Sequence, residues 1–177
     1  MNIDKTTNKQ HEAEIKTLIK DLGNKNGVIR RNTRESLKPF GHTAVDYLSE
    51  LLVNKKKIIR WEAVKTLVEI HDPHSGPLFL LAVKDKAPGV RWLGAEGLIS
   101  LGKSGVITVL EGLISNPDSL YIRQAAHHVL KEYSKFNPSP ELDGLLDTLK
   151  RADYEFYSPI AALKYLRKLG LRNKRSN

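Results

Sequence analysis

The side chains with the widest chemical range in this 177-residue chain are six histidines and two tryptophans, and spacing limits what each can do. His71 and His74 flank Asp72-Pro73, a sequence that suits an ordinary turn between paired helices; a zinc site from His74 and a residue of another turn is the alternative. His127 and His128 are adjacent, so on a helix they diverge by about 100° and do not face one ion. His11-Glu12 and His42 stand alone in the sequence. With no cysteine, disulfides, thiolate metal sites and a cysteine nucleophile are all excluded. No Gly-rich phosphate loop and no nucleophile motif is present, and serine and aspartate occur without a spacing that assembles a triad. The sequence therefore nominates no catalytic residue, no metal site and no cofactor, although a site assembled across distant segments would escape this test.

Trp61 and Trp92 offer a different chemistry. Each directly follows an aliphatic-Arg pair, and the slot after such a pair reads Arg31, Trp61, Trp92 and Gln124 along the chain. If the helices carrying these residues stack in register, neighbours stand about 10 Å apart. The tryptophans then form a short ladder on one face, suited to an interface hot spot, to base stacking or to a cation. The competing reading packs both rings into a turn or a neighbouring helix.

The elements that must hold these residues follow from a repeat. Ile29-Arg30, Ile59-Arg60, Val90-Arg91 and Ile122-Arg123 are each followed, seven residues after the arginine, by Leu37, Leu67, Leu98 and Leu130. The arginines are 30, 31 and 32 residues apart, a period that marks stacked repeats. Three residues after each arginine stands Thr33, Ala63, Gly94 or Ala126, which shares a helix face with the leucine and is small enough for close helix approach. Turns at Phe40-Gly41-His42, His71-Asp72-Pro73-His74 and Leu101-Gly102-Lys103 end the first helix of each pair. A return helix carries Leu48/Leu51/Leu52, Leu78/Leu81/Ala82, Leu110/Leu113/Ile114 and Leu142/Leu145/Leu146.

Such pairs cannot bury their apolar faces alone, so the expected fold is an all-α solenoid of about four to five helical hairpins with a terminal capping helix at each end. One cap spans about Gln10 to Leu22. The other runs from Ser158 to about Leu169, as the first helix of a fifth unit with Pro159 in the arginine's place. The expected boundaries are a disordered N-terminal segment over 1–8, one repeat domain over 9–169 and a basic tail over 170–177.

The net charge of +9 is unevenly spread. Residues 1–60 hold 13 Lys/Arg against 7 Asp/Glu, residues 61–163 hold 10 against 13, and residues 164–177 hold six basic residues and no acid. A phosphate track along the whole solenoid does not fit an acidic centre. Lys55, Lys56 and Lys57, with Lys168, Arg172, Lys174 and Arg175 at the end, are the residues that would contact nucleic acid. The longest apolar run, Leu78 to Val83, is six residues, far short of a membrane span, and no signal-like core opens the chain. A cytoplasmic protein without a membrane partner is expected.

The segments IIRWEAVKTL, GVRWLGAEGL and YIRQAAHHVL, each with its turn, resemble the HEAT-like repeats of phycobilisome lyases over about residues 27–166. The resemblance implies that each repeat arginine is structural and pairs with an acidic or amide residue of the preceding turn, here Asn24, Asn54 and Asp85, six residues before Arg30, Arg60 and Arg91. It also brings enzymes into view. The deoxyhypusine hydroxylase on this scaffold takes its iron ligands from His-Glu pairs after the repeat arginine. Those slots read Arg31-Asn32, Trp61-Glu62, Trp92-Leu93 and Gln124-Ala125, so the resemblance implies no such metal centre. HEAT-like DNA glycosylases imply a basic face with aromatic residues and a carboxylate, which Glu62 or Asp72 would have to supply. Read together, these features predict a protein-interaction scaffold whose partner-binding face carries Arg31, Trp61, Glu62, Trp92 and Gln124. The alternative is nucleic-acid binding through the basic termini and the tryptophan face.

Overall fold

The computed structural model describes residues 3–170, with side chains from residue 9 onward. Its α-helices are α1 (Ile3–Asp21), α2 (Gly27–Leu37), α3 (His42–Leu51), α4 (Lys57–Ile70), α5 (Gly76–Ala82), α6 (Pro88–Ser100), α7 (Lys103–Ser115), α8 (Leu120–Ser134), α9 (Pro140–Thr148) and α10 (Tyr154–Lys168). Single 3-10 turns at Lys38–Phe40 and Pro73–Ser75 complete the set, and no strand occurs among the described residues. The first helices of the pairs, α2, α4, α6 and α8, pack side by side in order; the return helices α3, α5 and α7 each pack on the first helix that follows. The molecule is an all-α solenoid.

The repeat pattern translates directly into packing. Leu37, Leu67, Leu98 and Leu130 are fully buried, each contributing about 1.5–3 kcal/mol by removal from water. Thr33, Ala63, Gly94 and Ala126 are buried beside them. At Gly94 the approach leaves no room for a side chain: a Cβ there would lie 2.8 Å from both the Phe79 carbonyl oxygen and the Val83 nitrogen of the α5 strip. Gly41 and Gly102 reverse the chain at equivalent turns with φ of 49° and 57°, a region that side chains disfavour. In the second turn His71 does the same at φ 58°.

Three features depart from the sequence expectation. The α1 helix begins at Ile3, inside the stretch assigned to a free arm, because no glycine or proline interrupts the chain before Gly23. In the second pair Leu81 is exposed at 42%, while Phe79 is fully buried and takes its place in the core. The reason is the bare Gly97 opposite, where a Cβ would fall 2.4 Å from the Phe79 ring. The third is α10. Ser158, Ala162 and Leu166 are buried as the repeat pattern requires, but the helix starts earlier, at Tyr154, so Pro159 lies inside it rather than in its first turn. Its principal contacts are with α7 and α9, not with α8. Tyr154 anchors this end, donating from its hydroxyl to the Asp118 carbonyl at 3.1 Å with its ring 4.2 Å from the Arg123 guanidinium carbon.

The repeat arginines clamp the stack, by a different bond from the one expected. Asn24, Asn54 and Asp85 use their side chains on their own turns, accepting from the N–H two residues on at 2.9, 2.9 and 2.7 Å. It is their backbone carbonyls that accept from Nη1 of Arg30, Arg60 and Arg91, at 2.7, 2.8 and 2.9 Å. The charged partner comes from the following repeat. Arg30 donates to Glu62 at 2.5 Å, and Arg60 holds both Asp85 oxygens at 2.5 and 2.9 Å. A guanidinium has donors for both neighbours, so one side chain ties its own helix to the turn before it and to the following repeat.

Burial works to raise the Asp85 carboxyl pKa, but Arg60 and the Ala87 N–H outweigh it and hold it below the ordinary range. A depressed folded pKa gives stability that is complete above the unfolded value of about 3.9 and is lost as pH falls through the folded one. Asp85→Asn is therefore less stable than wild type at pH 7, and the gap narrows as the pH is lowered toward 3. Urea unfolding at both pH values measures it; a gap that does not change with pH would show that the charge contributes nothing.

Candidate functional site

A groove of about 330 Å³ lies between α6 and α8. Arg91, Trp92 and Ala95 line it from α6; Tyr121, Gln124 and His128 line it from α8. On α8 these residues are three or four apart, and on α6 Ala95 lies three or four after Trp92 and Arg91, about one turn of helix, so each wall is a helix face. The Arg91 guanidinium carbon lies 4.2 Å from the Tyr121 ring centroid, while Nη1 of the same side chain donates to the Asp85 and Lys86 carbonyls. His128 Nε2 stands 3.0 Å from Glu96 Oε1 at the groove's other end. Trp92 is 59% exposed.

Of the slot residues nominated from sequence, the structure brings together Trp92 and Gln124. Arg31 is exposed on α2, away from the groove. Trp61 is half-buried against the core, with the Lys65 ammonium 4.8 Å from its ring. The tryptophans thus do not form an exposed ladder, and they differ in the residue two before the next repeat's arginine. Opposite Trp61 that residue is Gly89, whose hypothetical Cβ would sit 3.8 Å from the indole. For Trp92 it is Tyr121, 40% exposed and held under Arg91. Trp92 and Tyr121 both line the groove.

Glu62 is corrected outright. Its carboxylate is 2% exposed, held by Arg30 Nε and Arg34 Nη1, each at 2.5 Å. Glu69 completes the cluster from the other side of Arg34 at 3.0 Å. A carboxylate enclosed by two guanidinium groups belongs to the scaffold and is out of a partner's reach. Sequence reading missed the reverse case, Tyr121 and His128, which share the α8 face of Gln124 at helical spacing; that spacing was the available signal.

Among the residues expected to meet nucleic acid, Lys55, Lys56 and Lys57 are exposed at the start of α4. Lys168 is engaged in an ion pair with Glu141. Arg172, Lys174 and Arg175 lie outside the described residues. Among the described residues no helix is long and apolar enough to cross a membrane.

No family model matches the chain, and no curated protein does. Among solved structures it is similar to a chain of "The structure of the complex of CpcE and CpcF of phycocyanin lyase from Nostoc sp. PCC7120", with 24% identity and a TM-score of 0.57, covering 86% of this chain and 97% of that one. The likeness is one of fold, and it agrees with the HEAT-like repeat resemblance carried by the sequence segments.

Proposed function

We propose that this protein is a protein-binding adaptor, and that its partner seats a side chain in the groove between α6 and α8. The observation that carries the reading is Trp92, a large aromatic exposed beside Tyr121, Arg91 and Gln124. Trp, Tyr and Arg are the residue types that dominate binding energy at protein interfaces, and a concave setting lets a partner group desolvate all three at once. A half-buried slot such as Trp61 has no comparable area to offer. The structurally similar chain is itself seen in a complex of two proteins, which favours a protein partner over nucleic acid.

The test compares three proteins as bait in host lysate. Trp92→Ala removes exposed area, so it changes the unfolding free energy by no more than about 0.5 kcal/mol yet loses the partner. The double variant Phe156→Ala/Ile160→Ala serves as control; it trims a second exposed apolar spot, on α10, and retains the partner. A partner recovered equally by wild type and Trp92→Ala removes the groove from the reading. Retention that disappears on nuclease treatment, with affinity falling steeply in salt, would replace the adaptor with a nucleic-acid binder.

A further inference from the structure

A second constellation lies at the turns of the first two repeats. His42 opens α3, after the turn that ends the first pair's leading helix; Asp72 and His74 belong to the equivalent turn one repeat later. Separated by 30 residues, the two turns converge on one carboxylate. His42 Nδ1 donates to Asp72 Oδ2 at 2.7 Å, and His74 Nδ1 donates to Asp72 Oδ1 at 2.9 Å. The imidazole centroids are 5.2 Å apart with 64° between the rings. The ligand atoms that the three residues can offer all lie within 4.8 Å of one another.

The three side chains are unequal in a way that suits ion capture. The Asp72 side chain is 9% exposed and also accepts the His74 backbone N–H at 2.8 Å, so it is fixed in place. The imidazoles are 63% and 79% exposed and free to turn. Because only an N–H can donate to a carboxylate, each neutral ring carries its proton on Nδ1 and leaves Nε2 to solvent. Moving that proton to Nε2 costs little at an exposed ring and frees both Nδ1 lone pairs toward the carboxylate. Zinc binds imidazole nitrogen and carboxylate oxygen at about 2.0–2.2 Å, so tetrahedral ligands stand about 3.3 Å apart. Each ring has to shift by about 1 Å or less to reach that spacing.

We propose that His42, Asp72 and His74 bind a borderline divalent ion of the zinc class, tying the first repeat's turn to the second's. Two nitrogens and one oxygen select such an ion over Mg²⁺ or Ca²⁺, which take oxygen ligands. The fourth position opens to solvent on the side of the exposed rings, where water or a partner's side chain completes the shell. Sequence reading assigned His71 and His74 to a turn and kept a zinc site from His74 and a residue of another turn as the alternative, without naming His42 as that residue.

The experiment titrates the untagged full chain with Zn²⁺ by calorimetry and follows thermal unfolding with and without the ion. The expected result is saturation at one ion per chain with a micromolar dissociation constant, and a rise in Tm of about 5 °C at large excess, because only the folded chain assembles the ligands. His42→Asn and His74→Asn keep a donor for Asp72, so both fold. Each weakens binding at least about tenfold, and the double variant abolishes both the binding and the Tm shift. The pair His127→Asn/His128→Asn leaves both unchanged. Absence of saturable binding overturns the proposal, as does binding that survives in the His42→Asn/His74→Asn protein or that is lost with His127 and His128.

Discussion

Replacing Glu62 with alanine is expected to remove about 3–5 kcal/mol of stability, because it strands buried positive charge. The carboxylate sits between Arg30 and Arg34 at 2.5 Å from each, and the Arg34 side chain is itself 8% exposed. Deleting a methylene-sized volume would cost far less; the cost comes from the nearly buried Arg34 guanidinium and the one-fifth-exposed Arg30, which lose their shared carboxylate. Arg34 retains Glu69, whose second oxygen has no hydrogen-bond partner, so half of the cluster is left bridging nothing. Urea unfolding measures the loss directly. The double variant Glu62→Ala/Arg34→Ala is expected to be less destabilised than the sum of its parts, by at least about 1 kcal/mol, since it removes one of the stranded charges. A single-variant loss under about 1 kcal/mol would mean that the cluster is solvated in solution.

Gly105→Ala is the second large effect, and it runs through sterics alone. A Cβ at Gly105 would stand 1.8 Å from the Leu98 carbonyl oxygen and 2.6 Å from its carbonyl carbon. Both atoms are backbone of α6, so no side chain can swing aside, and α6 and α7 must part. Overpacking of this kind typically costs about 1–3 kcal/mol, and a clash against backbone belongs at or above the top of that range. Gly144 supplies the opposite sign. It lies inside α9 with nothing within 4 Å of its hypothetical Cβ, so Gly144→Ala gains about 0.5–1 kcal/mol from helix propensity. Thermal unfolding of the two variants checks both at once. Equal shifts would contradict the packing described here.

These effects separate scaffold from surface within a single register. Glu62 and Trp92 both fall in or beside the slot after a repeat arginine, and one helix pattern places them. Glu62 is expected to cost stability and leave binding as a secondary loss; Trp92 is expected to cost binding and leave stability intact. Measuring both quantities for both variants distinguishes the two roles, which a binding assay alone would confuse.

Helix-level features were legible because they are local. The leucine seven after each arginine, the small residue three after it, and the glycines at φ 49° and 57° follow from geometry within one helix or one turn, and their burial agrees with the reading. The period of about 31 residues carried those local facts into an architecture, since units with one apolar face have to stack. Residue choice across the stack was beyond that logic. Arg30 and Arg60 find carboxylates in the next repeat, Glu62 and Asp85, where Arg91 and Arg123 find the rings of Tyr121 and Tyr154. Trp61 is half-buried beside Gly89, where Trp92 is exposed and shares the groove with Tyr121. His42 reaches Asp72 across 30 residues. Sequence by itself determined the repeat, the core and the all-α solenoid. Tertiary structure alone decided which slot is open and which histidines meet. The physical reason is that a side chain's surroundings in a stack are set by the neighbouring repeat, and a period specifies that a neighbour exists without specifying what it presents.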